Sequence, residues 1–155
     1  MFRKSIHISF AGGLMIMLAA LSVTAEKAAA QTAEKVPASI NPKIMQFNPK
    51  DLKIEYLAPS DKVITQESLT ADSLKLVKYI DIYNKRQATP DGWVGKSSTA
   101  EDAYSMINDK YENFLIDKVR YFVSTGQIPK PPLPPPGETA QMKLGKDWEV
   151  WAFPE

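Results

Sequence analysis

The 155-residue sequence contains no cysteine and one histidine, His7. Without cysteine there can be no disulfide, no thiolate nucleophile and no cysteine-bound zinc. His7 lies in an apolar amino-terminal segment that reads as a secretory signal peptide, so the mature chain is expected to lack histidine too. That removes the commonest general base and the commonest transition-metal ligand. No block of like charge is present either, and formal net charge is +1. Taking Arg3 and Lys4 from the 19 basic side chains leaves 17 against 18 acidic ones. Such a balance argues against nucleic-acid binding and against electrostatic attraction to an anionic membrane. No Asn-x-Ser/Thr glycosylation acceptor occurs: Asn41 and Asn48 precede proline, and Asn84, Asn108 and Asn113 lack the hydroxyl residue. The expectation is a non-enzyme with no catalytic residue, no metal and no cofactor.

The amino terminus gives the destination. Arg3 and Lys4 precede an apolar run from Ile6 to Val23, interrupted only by His7, Ser9, Gly12, Gly13 and Ser22. Val23-Thr24-Ala25 places small residues at −3 and −1 of a cleavage site. Residues 1–25 are therefore read as a signal peptide, with Ala28-Ala29-Ala30 as an alternative site cleaving after 30. The expected location is periplasmic or secreted, with membrane contact only through transient insertion of the signal peptide unless the amino terminus is left uncleaved as an anchor. Residues 26–39 are rich in Ala, Glu, Lys and Thr and read as a flexible leader.

Residues 40–126 are expected to form a small, mainly α domain built on an antiparallel helical hairpin. Prolines at 37, 42, 49 and 59 forbid a long helix there. Leu52 to Leu57 alternates apolar and polar residues and reads as an edge strand or isolated extended segment. A first helix is predicted over about 67–87, with Leu69, Leu76, Val77, Ile80 and Tyr83 on one side. A second is predicted over about 99–125. Ser98 with Glu101, or Thr99 with Asp102, makes its capping box, and Gly126 ends it. Its stripe runs through Ala100, Ala103, Tyr104, Ile107, Tyr111, Phe114, Leu115, Tyr121 and Phe122. Lys118 falls inside that stripe and is expected to snorkel at its edge. Residues 127–137, dense in proline, read as a stiff exposed spacer, and 138–155 as a strand-like aromatic tail.

Motifs that resemble active sites have simpler explanations. Gly95-Lys96-Ser97 matches the end of a phosphate loop, but Pro90 occupies the required glycine position. Asp91, Glu101, Asp102 and Asp109 would suit a carboxylate-based hydrolase, yet turn and cap roles account for the first three. The proline tract contains PxxP without a suitably placed basic residue, which favours a spacer over a ligand for a peptide-binding domain.

The leading expectation is an exported accessory or structural subunit that binds another exported or envelope protein. Its contact residues would be Trp148, Val150, Trp151 and Phe153 of the tail, whose side chains alternate between two faces. Ile116 would join them from a second apolar face of the later helix. The alternative is a glycan- or cell-wall-binding module that stacks sugars on Trp93, Trp148 and Trp151.

Overall fold

The structure, a computed structural model, describes residues 36–146 and Trp148. The predicted signal peptide, both cleavage sites and most of the leader lie outside the described residues, as do Val150, Trp151 and Phe153. Two 3-10 turns, Pro42–Gln46 and Pro49–Asp51, lead into strand β1 (Ile54–Leu57). Helix α1 (Gln66–Gln87) and helix α2 (Ala100–Ser124) follow, then strand β2 (Met142–Leu144).

Local chemistry sets the helix ends. Thr65 caps α1 in a reciprocal pair with Ser68, each side chain accepting from the other's backbone N–H at 3.1 Å. Thr99 and Asp102 do the same for α2, at 3.1 and 3.0 Å. Accepting the Thr99 backbone N–H lowers the Asp102 pKa. Gly126 adopts φ 71°, a conformation that side-chain-bearing residues rarely take. The N–H groups of Gly126 and Gln127 then turn back to the carbonyls of Val123 and Phe122, closing α2. Between the helices Gly92 approaches α1 closely, since a Cβ there would lie 2.1 Å from the Arg86 carbonyl oxygen.

The two helices pack against each other, as the hairpin reading expects. Leu69, Leu76, Ile80 and Tyr83 of α1 share a core with Ile107, Tyr111, Phe114 and Leu115 of α2. Val77, expected in that stripe, lies at its edge and is 38% exposed. Met45 and Phe47 close the core from the amino-terminal side.

Among the described residues that amino-terminal segment pairs with no strand, and helix side chains satisfy part of its backbone. Tyr83 Oη and Gln87 Nε2 donate to the Pro37 carbonyl at 2.6 and 3.0 Å. The Asn84 amide accepts from Ile40 N–H and donates to its carbonyl, both at 2.8 Å. Tyr111 Oη donates to the Ile44 carbonyl at 3.1 Å. Lys118 Nζ donates to the carbonyls of Met45 and Phe47 at 3.2 and 2.7 Å. Pro37, assigned to the leader by its composition, is thus already part of the folded strap. Lys118 does not merely snorkel: its ammonium is tied inward and lies 4.4 Å from the Phe47 ring centroid.

The carboxy-terminal half departs most from the sequence reading. The proline tract does not hold the following chain away from the body. Leu57 N–H donates to the Pro132 carbonyl at 3.0 Å, and Ala58 N–H to the Gln141 carbonyl at 2.8 Å. β2 then pairs antiparallel with β1, Ile54 opposite Leu144 and Leu57 opposite Met142. Trp148 is half-buried against the main core. The physical reason is the unpaired edge of β1: its backbone donors and acceptors need partners, and the returning chain supplies them on both sides.

Ile116 requires a related correction. It lies opposite the main stripe of α2, as the helical wheel indicates, but it is only 4% exposed and is not a free contact surface. Val119 is buried as well. The end of β1 and the start of the returning tail cross this side of α2, anchored there by Arg120. From Phe114 to Val123 no side chain of α2 is exposed.

Candidate functional site

Enclosing α2 puts one carboxylate, Asp117, in the interior. It is the one buried charged side chain among the described residues. Its neighbours along the helix are Ile116 on one side and Lys118 and Val119 on the other, so the helix cannot rotate it out without exposing them. Lys62, from the loop between β1 and α1, forms an ion pair with Asp117 Oδ2. Arg120, one helical turn on, brings Nη1 to 3.7 Å from Oδ1. Arg120 Nη2 also donates to Gln141 Oε1 at 2.9 Å and to the Ala58 carbonyl at 3.4 Å. One carboxylate thereby ties together the loop before α1, α2 itself and the returning tail. A lone aspartate within Phe114-Leu115-Ile116-Asp117-Lys118-Val119 was the sequence signal for it, and the helical wheel alone did not single it out.

Two clefts, each about 240 Å³, open on either side of Lys62. The first lies between α1 and α2. Lys62, Lys75 and Lys110 line it with Asp72, Asn113 and Asp117. Each of its cations is engaged: Lys62 with Asp117, Lys75 with Asp72 at 3.3 Å, and Lys110 over the Tyr79 ring at 5.5 Å. This arrangement holds two helices and a loop together, with three lysines against two carboxylates. The second cleft is an apolar groove between the chain leaving β1, the end of α2 and the proline tract. Leu57, Val123, Pro131 and Leu133 form its surface, with Lys62, Arg120 and Lys130 around it.

The residues singled out for sugar stacking are not gathered into one platform. Trp93 is half-buried beside the main core. Its Nε1 donates to Gln87 Oε1 at 2.9 Å, its ring lies 5.9 Å from Tyr83, and the Arg86 guanidinium sits 5.2 Å from its centroid. Trp93 thus closes the turn region onto α1, through the same Gln87 that holds Pro37. Trp148 packs on the core, and Trp151 lies outside the described residues. Of the carboxylates considered for hydrolysis, Asp102 caps α2, while Asp91, Glu101 and Asp109 are exposed at separate places along the turn and helix.

Among the described residues no three or more His, Cys, Asp or Glu side chains are grouped as a metal site would need. Among the same residues no helix is long and apolar enough to cross a membrane. No family model matches the sequence, and neither a curated protein nor a solved structure matches it significantly.

Proposed function

We propose that the protein is an exported, non-catalytic accessory or structural subunit that binds another protein of the periplasm or cell envelope. The observation that carries this reading is the outer face of α1. Leu74 is 66% exposed there, and Val77 and Ile82 on its flanks are partly open to solvent. A single exposed leucine is ordinary, but three apolar side chains on the outward face of one helix suit a protein contact. Lys78, Asp81 and Lys85 lie on the same face and mix both signs of charge. They form the kind of polar surround found at the rim of an interface. The aromatic residues Trp151 and Phe153, with Val150, are proposed as a second part of the same contact.

Two measurements test the reading. Amino-terminal sequencing of protein recovered from native cells should begin at residue 26 or 31; an intact Met1 retained in the membrane fraction would contradict export with cleavage. Purification from the envelope should yield a stoichiometric protein partner. Leu74→Glu and Trp151→Ala should each weaken that complex while leaving the helical circular dichroism unchanged. A complex insensitive to both substitutions would refute the assigned surfaces, and retention on polysaccharide without any protein partner would favour the glycan-binding alternative.

A further inference from the structure

The groove beside Lys62 has features that its structural role does not use. Arg120 forms its inner wall, with a side chain only 14% exposed. A guanidinium offers several N–H donors in a fixed fork. Here one of them makes a good bond, to Gln141 Oε1 at 2.9 Å. The approach to the Ala58 carbonyl is 3.4 Å and that to Asp117 is 3.7 Å, both long. The Arg120 Nε is buried with no hydrogen-bond partner. Buried donors are nearly always satisfied in folded proteins, so an under-bonded guanidinium calls for an explanation. Lys62 and Lys130 add positive charge at the same groove, whose lining contains no acidic residue. Asp117, behind the wall, offsets only part of it.

The groove's backbone limits what could occupy it. Leu57 N–H and Ala58 N–H are already given to Pro132 and Gln141. Prolines 59 and 131 have no N–H to give. An extended peptide would therefore lose its backbone hydrogen bonds to water and find few replacements. A ligand with one anionic head and an apolar body avoids that cost. We infer that this groove binds a medium-chain aliphatic monocarboxylate. Its carboxylate would meet Arg120 and Lys130 while Lys62 stays on Asp117, and its chain would lie along Leu57, Val123 and Leu133. The incoming carboxylate turns the guanidinium toward the groove and replaces its two long contacts with a paired, charge-assisted fork.

The test is a titration of the full chain with sodium octanoate below its micelle concentration, followed by amide chemical shifts. Saturable shifts should centre on Leu57, Val123 and Leu133. 1-Octanol at equal concentration should bind at least about tenfold more weakly, because it lacks the charge. Lys130→Glu and Leu133→Asp should each reduce octanoate affinity by a similar factor. Both positions are solvent-exposed, Leu133 at 63%, so neither variant should disturb folding. The inference is overturned if octanol binds as well as octanoate. It is equally overturned if the shifts map elsewhere, including the cleft between the helices, or if both variants bind as the parent does. The outcome is independent of whether a protein partner is found.

Discussion

Replacing Lys118 by methionine should detach the amino-terminal strap from α2. Methionine keeps an apolar stem of similar length but gives up both donors. The carbonyls of Met45 and Phe47, now bonded to Nζ at 3.2 and 2.7 Å, would be left without that partner. A hydrogen bond to a charged group contributes about 1.5–3 kcal/mol, and the contact with the Phe47 ring adds about 0.5–1 kcal/mol. Against this stands the cost of holding an ammonium partly out of water, which also lowers the Lys118 pKa. The net loss should be about 2–4 kcal/mol, a large share of the ~5–15 kcal/mol typical of a folded domain. With a urea dependence of about 1.5 kcal/mol per M, the unfolding midpoint falls by about 2 M. Lys110→Met is the control, because that lysine, also on α2, is exposed and rests only over Tyr79. It should shift stability by less than about 0.5 kcal/mol. Urea unfolding followed by circular dichroism gives the comparison, and amide exchange from Ile40 to Phe47 should accelerate selectively in Lys118→Met. If the two variants unfold alike, the bonds from Lys118 to the strap do not stabilise the fold, and the argument fails.

Ile116→Asp should cost several kcal/mol, because it buries an unpaired carboxylate beside Asp117, whereas Asp109→Ala at an exposed position should be nearly silent; equal thermal melts would refute the enclosure of α2. Deleting residues 138–155 should destabilise the body, because it removes β2, Gln141 and Trp148 together; a truncated protein as stable as the parent would restore the tail to an external appendage. Burial pushes the Tyr111 hydroxyl up to about 12 from 10.0. Its stabilising contribution is therefore complete below pH 10 and is lost as pH rises through about 12, because the unfolded chain releases that proton first. Stability measured across that window should fall with rising pH, and less steeply in Tyr111→Phe; identical slopes would refute the assignment.

The packed pair of helices was legible in the sequence because its determinants are local. Capping depends on residues three apart, as in Thr99 and Asp102, and the core stripe of Ile107, Tyr111 and Phe114 recurs with the helical period. Gly126 ends α2 through its own backbone freedom. These features depend on neighbours within a turn or two, so a linear reading finds them. The destination of the proline tract, the burial of Ile116 and the centre at Asp117 were decided only by tertiary structure. In each case a group's partner lies far along the chain: Pro132 for Leu57, Lys62 for Asp117, Gln141 for Arg120. A helical wheel shows that Ile116 faces away from α1, but not that another segment returns to cover it. Polyproline stiffness likewise says that the tract is extended, but not where it points. That direction follows from the open edge of β1, whose unpaired backbone groups are satisfied only when the distant carboxy-terminal segment folds back upon them.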